Sequence, residues 1–422
     1  MRILVIGRGG REHAIIWKLK QSSKVSHMYC APGNGGIASL ATCVPIHELE
    51  FEKISQFAKQ QQIDLVVVGP DEPLSLGIVD YLEQQGIAVF GPRANAAILE
   101  SSKSFTKDFM NRYHIPTASF EVFEDYDSAW QYIERQGVPI VIKADGLAAG
   151  KGVTVAFSLE QAKQALHAIM IDKVFGESGN KVVIEEYLQG QEMSLLAFVD
   201  GTVVRPMVAS QDHKPVYDGD QGPNTGGMGT YSPLPHISQE IIQQAIETIL
   251  QPTATAMVQE GRPFKGVLYA GLMMTATGVK TIEFNARFGD PETQVILPRL
   301  ASDLLDIMLA VVHGTLAQQV IEWKQEAAVC VIVASEGYPG PYAKGHVISG
   351  LEEAKQMQDI AIFHAGTAIE DGQVVTSGGR VIGITALAPS IAAAREQAYR
   401  AMKHIHFTGM HYRTDIAMKA LQ

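Results

Sequence analysis

The stretch Lys143-Ala144-Asp145-Gly146-Leu147-Ala148-Ala149-Gly150-Lys151-Gly152 decides the fold. A Walker-type phosphate loop needs four residues between its glycines, a Ser or Thr after the lysine, and a helix beyond. Here three residues separate Gly146 from Gly150, Gly152 follows Lys151, and Val153 to Phe157 reads as a strand. A glycine-rich loop between two strands is either a plain flexible hairpin or a flap whose amides close over a triphosphate. In the second case Lys143, on the preceding strand, is a fixed counter-charge.

The next segments downstream favour the flap. Val182-Val183-Ile184-Glu185-Glu186-Tyr187-Leu188-Gln189-Gly190-Gln191-Glu192 is a strand running into an extended linker. Extended backbone at Glu186 to Leu188 can offer a carbonyl and an amide to an adenine edge, and Glu192 can accept from ribose hydroxyls. Further on, in Ile282-Glu283-Phe284-Asn285-Ala286-Arg287-Phe288-Gly289-Asp290-Pro291-Glu292, strand alternation puts Glu283, Asn285 and Arg287 on one face. A carboxylate beside an amide oxygen is a hard-oxygen pair suited to a magnesium ion bridging protein to phosphate; the alternative is a solvated polar strand face. No His/Cys set with zinc spacing occurs. The long loop at 211 to 235 is too rich in Gly for ordinary surface. Its His213 has the type of a general base, but a hydrogen-bonding loop histidine is the better reading.

Upstream, Ile3 to Ile6 is an apolar strand followed by Gly7-Arg8-Gly9-Gly10-Arg11-Glu12 and a helical pattern. Leu65 to Val68 and Ile87 to Phe90 repeat the strand-then-breaker signature around a helical candidate, Leu76 to Gln85, so the first hundred residues read as a doubly wound α/β domain. A dinucleotide fingerprint fails twice. Glu12 stands where the third glycine belongs, and the second strand, Val25 to Ala31, ends without an acidic residue for a ribose. What remains is a helix N-terminus with amides at Gly9 and Gly10 and cations at Arg8 and Arg11, suited to a terminal phosphate, or else a tight turn with solvated arginines. A helix is expected to run from a polar junction at Glu100-Ser101-Ser102-Lys103, which offers N-caps, to about Tyr113; further helices over about 238 to 260 and from about Thr293 to His313; strands at 266 to 275 and 279 to 284; a hairpin around Asp200-Gly201; and a closing helix over about 390 to 404. The expected domains are 1–102, a body at 103–324 with a mobile subdomain at about 118–190, and 325–422.

Composition bounds the partners. The 422 residues carry 34 Lys plus Arg against 45 Asp plus Glu, a net charge of −11, which argues against nucleic acid or an anionic membrane as partner. Three cysteines without CxxC spacing read as reduced core thiols of a cytoplasmic protein. The N-terminus reaches glycine too early for a signal segment, and no apolar run attains the roughly 18 residues of a membrane span. Monomer is the default.

Taken in order, Gly7 to Ala14, Pro32-Gly33-Asn34-Gly35, Lys143 to Gly152, Gln211 to Gly229 and Glu283 to Gln294 closely resemble the glycinamide ribonucleotide synthetase family of the ATP-grasp superfamily. The resemblance spans essentially the whole chain. It implies an N-terminal α/β domain, a two-part ATP-grasp body and a small C-terminal domain. It also implies a carbon–nitrogen ligase of purine biosynthesis, joining glycine to 5-phosphoribosylamine through glycyl phosphate with ATP as co-substrate and Mg2+ or Mn2+ as cofactor. By that resemblance Lys103 and Lys143 hold the phosphates and Gly146, Gly150, Lys151 and Gly152 close over them. Glu185, Glu186, Tyr187, Leu188 and Glu192 hold adenosine, and Glu283 and Asn285 the metal. Arg287, Asp290 and Asp212 serve the glycine and the developing charge, and Gly9, Gly10, Arg11, Asn34 and Gly35 face the phosphoribosylamine. Two positions depart from the family pattern: Pro215 stands where Arg is usual, and Asp71 where Glu is usual. Rival readings are a bicarbonate-activating carboxylase of the same fold, a dehydrogenase resting on the first turn alone, and a non-catalytic nucleotide sensor.

Overall fold

A computed structural model describes residues 1–148 and 152–421. The first unit runs β1 (Arg2–Gly7), α1 (Gly10–Leu19), β2 (His27–Pro32), β3 (Thr42–Cys43), α2 (Phe51–Gln60), β4 (Leu65–Val68), α3 (Asp71–Ser75), α4 (Ile78–Gln84) and β5 (Val89–Phe90). Its strands form a parallel sheet in the order β3-β2-β1-β4-β5. The helix expected over Leu76 to Gln85 is shorter, because Gly77 at φ +86° separates α3 from α4. The order reverses between β1 and β4, the crevice where open α/β sheets bind ligands. Glu12 fills it. Its carboxylate accepts from the Gly9 amide at 2.6 Å and from Arg11 Nε at 2.6 Å. A Cβ on Gly69 would lie 2.1 Å from Glu12 Oε1, and one on Gly7 2.5 Å from Glu12 Cγ. The residue that breaks the dinucleotide pattern thus occupies the crevice such a cofactor would use.

After β5, α5 (Ala94–Ser101) leads to α6 (Lys103–Arg112), which Ser102 caps by accepting from the Phe105 amide. There follow β6 (Phe120–Phe123), α7 (Tyr126–Gln136), β7 (Ile140–Ala144), β8 (Val153–Ala156), α8 (Leu159–Met170) and β9 (Val182–Glu186), an antiparallel sheet in the order β6-β9-β7-β8 under two helices. A second antiparallel sheet, β11-β10-β16-β17, comprises β10 (Gln191–Asp200), β11 (Val203–Pro206), β16 (Lys265–Thr275) and β17 (Gly278–Asn285). Between β11 and β16 lie β12 (Gln211–Asp212), β13 (Pro215–Tyr217), β14 (Gln221–Asn224), β15 (Gly229–Ser232), α9 (Gln239–Ala245) and α10 (Gln251–Gln259).

Three expectations need correction. The stretch 211 to 235 is not one loop but two short antiparallel pairings, β13 with β14 and β12 with β15. The helix over 238 to 260 contains a π turn at Ile246–Leu250, just ahead of Pro252, where a missing N–H and the ring disfavour regular α-helical bonding. The helix from Thr293 to His313 is two, α11 (Thr293–Arg299) and α12 (Leu304–His313). Leu300 turns extended to bridge Trp323, and the Asp303 side chain restarts the helix by accepting from the Leu305 amide.

The C-terminal part contributes β18 (Ala327–Ser335), α13 (Leu351–Lys355), β19 (Ile360–His364), β20 (Thr367–Glu370), β21 (Gln373–Thr376), β22 (Arg380–Ala388), α14 (Ile391–Met402) and β23 (Met410–His411). Its main sheet, β12-β15-β18-β22-β19, draws two strands from the 211–232 stretch, so the glycine-rich segment is anchored in it. It also touches the first unit: the His364 amide donates to His13 Nδ1 at 2.8 Å, and both rings are buried. Burial, with nearby His364 and Lys355, lowers His13 from 6.5 to about 3; burial and Lys355 lower His364 to about 4. Bases whose folded values lie below their unfolded ones contribute stability above pH 6.5 that is lost as pH falls. The thermal midpoint should therefore drop between pH 6.5 and about 4. In His13→Asn, whose amide oxygen can accept the same bond, the slope should be clearly shallower; an unchanged slope would refute the assignment.

Candidate active site

One cavity of about 330 Å³ opens between the two antiparallel sheets of the body, with the first unit and the C-terminal sheet closing its far end. Along its wall β7 supplies Lys143, β9 Glu185, β17 Glu283 and Asn285, and α6 Lys103. The turn after β17 brings Arg287, Asp290 and Glu292; β12 brings Asp212, and α1 Arg11. Residues far apart in the chain thus converge on one space.

At the end lined by β7 and β9, Lys143 is 3% exposed and sits 2.9 Å from Glu185 Oε1 while donating to the Ile282 carbonyl at 3.1 Å. Lys103 donates to the Gly146 carbonyl at 2.9 Å, tying α6 to the start of the glycine-rich connection. Leu147, Ala148 and Gly152 line the cavity; Gly150 and Lys151 lie outside the described residues. Glu186 points away from this space, paired with Lys280 at 2.8 Å. Tyr187 packs edge-on against Phe157, and Tyr187 and Leu188 are half-buried in the extended segment after β9. Glu192 pairs with Lys214 at 3.0 Å.

At the centre, the Glu283 carboxylate makes no hydrogen bond or ion pair to any described residue, although its backbone pairs in the β16–β17 ladder. Burial raises its carboxyl, but Lys214, Lys143, Lys103 and Arg287 together hold it below the usual range, so it stays ionised. Among the described residues no three His, Cys, Asp or Glu groups cluster to hold a metal by themselves. A free carboxylate beside the Asn285 amide oxygen, facing a space for phosphate, fits a magnesium-type ion completed by nucleotide oxygens.

Deeper in, Arg287 Nη2 pairs with Glu100 Oε1 at 2.7 Å, and Glu100 also accepts from the Ala286 amide. Burial pushes Glu100 up to about 7, against the pull of Arg287. Asp71, one of the two departures, lies beside the same guanidinium: burial raises it, but Arg287 and Arg11 hold it below the ordinary carboxylate value. Asp290 accepts from Gln294 Nε2 at 2.8 Å and pairs with Arg380 at 3.3 Å. Asp212 is raised to about 7, chiefly by burial and then by Glu292 and Glu192 against Lys214. A carboxyl at that value can take up or release a proton near neutral pH. Gly9 and Gly10 lie against Asp290 and Gln294: a Cβ on Gly9 would meet Asp290 at 3.3 Å, and one on Gly10 would meet Gln294 at 2.6 Å.

Asn34 and Gly35 sit apart from this convergence. The Asn34 amide donates to the Arg8 and His364 carbonyls, and its oxygen accepts from the Gly36 and Ile37 amides. Gly35 packs against Thr367 and Ala368. His213 is buried under the C-terminal tail, facing the Ala417 amide and Arg413.

Sequence reasoning missed Glu100, Lys107, Lys214, Tyr269 and Arg380 on the cavity wall. Lys107 alone carried a local signal, lying four residues after Lys103 and so one turn along the same helix face. Arg380 comes from β22 and could not be placed by spacing.

Two facing antiparallel sheets joined across a cavity, with a glycine-rich connection between β7 and β8 and the Glu283 and Asn285 side chains on the cavity wall, define an ATP-grasp protein. Family models described as the N, ATP-grasp (A) and C domains of phosphoribosylglycinamide synthetase match residues 1–100, 101–293 and 328–419, and the chain belongs to that family. It is 52% identical over 421 residues to the phosphoribosylamine–glycine ligase of Halalkalibacterium halodurans, covering 100% of this chain and 97% of that one. It is 51% identical to the trifunctional purine biosynthetic protein adenosine-3 of Gallus gallus, covering 100% of this chain and 42% of that protein. A crystal structure of the Thermotoga maritima phosphoribosylamine–glycine ligase superposes with a TM-score of 0.87 at 35% identity, over 99% of this chain and 100% of that one. A biotin carboxylase from Campylobacter jejuni shares the fold at 14% identity and a TM-score of 0.75.

Proposed function

We propose that this protein joins glycine to 5-phosphoribosylamine with cleavage of ATP to ADP and phosphate, as a cytoplasmic step of purine synthesis. The observation that carries the reading is the convergence, in a chain of this family, of Lys103, Lys143, Glu283, Asn285, Arg287 and Asp290 on one cavity. A glycine carboxylate is a poor electrophile because its leaving group would be oxide. Its oxygen therefore attacks the γ-phosphorus, an O–P bond forms, the β,γ-bridging P–O bond breaks and ADP leaves. The ribosylamine nitrogen then attacks the acyl carbon of glycyl phosphate, forming the C–N bond, releasing phosphate and giving up a proton.

No protein nucleophile is needed, so the side chains position and neutralise. Lys103 and Lys143 hold the phosphates under the Gly146–Gly152 flap. Glu185 beside Lys143, the extended backbone of Glu186 to Leu188 and Glu192 frame adenosine, while the Glu186 side chain itself faces Lys280. Arg287, Asp290 and Asp212 orient glycine and balance developing charge. Gly9, Gly10 and Arg11 face the phosphoribosylamine, while Asn34 and Gly35 shape the adjoining turn. Magnesium or manganese would be held by Glu283 and Asn285 and would neutralise charge between the nucleotide phosphates.

The direct test is phosphate release from ATP and magnesium with glycine, with and without freshly generated phosphoribosylamine. Release that needs both, with equal ADP, is expected; release driven by bicarbonate instead would move the assignment to the carboxylase branch. Glu283→Ala should raise the magnesium concentration for half-maximal rate by at least roughly tenfold, the lower end of what loss of even an outer-sphere partner costs a metal site. An unmoved magnesium curve would remove Glu283 from the ligand set.

A further inference from the structure

Lys107 is one of the groups on the cavity wall that the mechanism above leaves without a role. It is 2% exposed, and its Nζ lies 2.8 Å from Glu185 Oε2, while Lys143 takes the other oxygen at 2.9 Å. One carboxylate is shared between two ammonium groups, and all three side chains are buried. Lys107 also donates to Thr117 Oγ1 at 2.8 Å, and Thr117 donates to the Thr281 carbonyl on β17 at 2.8 Å. The other charged or polarisable groups facing it are Glu186 on β9 and the ring of Phe120 on β6.

The charge count within this triad is uneven. Buried cations are ordinarily matched by anions, since an unmatched charge out of water is costly. Lys143 alone with Glu185 would form a closed, neutral pair. Lys107 opens that pair, leaving the triad itself with one positive charge, which on the Lys143 side faces the Glu283 carboxylate. We propose that Lys107 is a positioning residue for the nucleotide phosphates: by dividing Glu185 with Lys143 it keeps Lys143 available to the phosphate chain and supplies the charge the phosphates neutralise. The inference rests on the reading of the cleft as a nucleotide site. Burial, in agreement with this, lowers the Lys107 ammonium to about 8, with Glu185 opposing and Lys143 adding to the shift. Phosphate binding should therefore require proton uptake at alkaline pH.

The test compares dissociation constants of ADP and adenosine for the full chain and its Lys107→Met and Thr117→Val variants. Lys107→Met should weaken ADP by roughly tenfold to a hundredfold, the range for a lost charge-assisted contact, and leave adenosine within about twofold. Thr117→Val, which removes the tether but not the charge, should leave both ligands within about twofold. Across the wild-type range from about pH 7 to about pH 9, affinity for ADP relative to adenosine should fall, and in Lys107→Met that fall should vanish. Equal weakening of ADP and adenosine by Lys107→Met, or a Thr117→Val variant that mimics it, would make Lys107 a structural tether and overturn the proposal. Should Lys107→Met fail to fold, a wild-type profile without the alkaline fall would overturn it as well. A wild-type protein that binds ADP while Lys107→Met binds it equally well refutes this inference alone; a wild-type protein that binds no ADP refutes the nucleotide reading beneath it.

Discussion

Arg287→Ala is expected to lower the glycine-dependent rate of ADP formation by about a hundredfold to a thousandfold, the loss that follows removal of one preorganised donor aimed at developing charge. The guanidinium is buried with Glu100, Asp71 and Glu292 around it; burial alone would lower its pKa, but these carboxylates hold it firmly charged. Its Nη2 also reaches Asn285 Oδ1 at 3.3 Å, linking the charge centre to the proposed metal ligand. Removing it leaves Glu100, already raised to about 7 by burial, without its 2.7 Å partner. A carboxyl whose folded value exceeds its unfolded one costs stability as pH rises from 4.5 towards that folded value. Without the cation the value rises further, so the variant should lose more stability relative to wild type at pH 8 than at pH 5. Arg287→Lys keeps a charge but not the planar fork and should recover only part of the rate. A rate within tenfold of wild type, measured in a single turnover with ADP affinity unchanged, would confine Arg287 to a structural part.

Glu185→Ala should cost about 3 to 5 kcal/mol of folding stability, the usual result of removing one partner from a buried ion pair. The case is stronger than a single pair, because two ammonium groups, on Lys107 and Lys143, lose the same counter-ion. Glu185→Gln keeps the shape and isolates the charge, and should account for most of the loss. Saturating ADP should raise the unfolding midpoint of either variant by more than it raises the wild type, because phosphate then supplies the missing negative charge as well as the ordinary mass-action gain. If the midpoint without ligand does not move, the lysines are not dependent on Glu185, and both this prediction and the role proposed for Lys107 lose their basis.

The features that could be read along the chain are those whose chemistry lies in contiguous residues. The glycine-rich connection between β7 and β8, the Glu283 and Asn285 alternation on β17, and the parallel first sheet all follow from period and glycine placement, which act over a few residues. Glu12 is of the same kind: its departure from the glycine fingerprint already argued against a dinucleotide, and the fold adds that its side chain fills the crevice. Helix interruptions were less legible. Leu300 leaves the helix because it pairs with Trp323, a partner that no local window contains.

The charge network of the site belongs to tertiary packing. Arg11 meets Asp290 across 279 residues, Ala286 meets Glu100 across 186, and Arg380 reaches the Asp290 carbonyl across 90. Propensity and spacing carry no information about such pairs, because which side chains share a dry cavity is set by how sheets and helices stack. The same stacking raises Glu100 and Asp212 to about 7 and lowers Lys107 to about 8, since desolvation exists only once the layers close. Local sequence therefore specifies the glycine-rich connection, the Glu283 and Asn285 pair on one strand face and the class of chemistry, through interactions that short stretches of backbone contain. Packing between distant segments specifies which carboxylates and cations face one another, and so the electrostatic field inside the cavity.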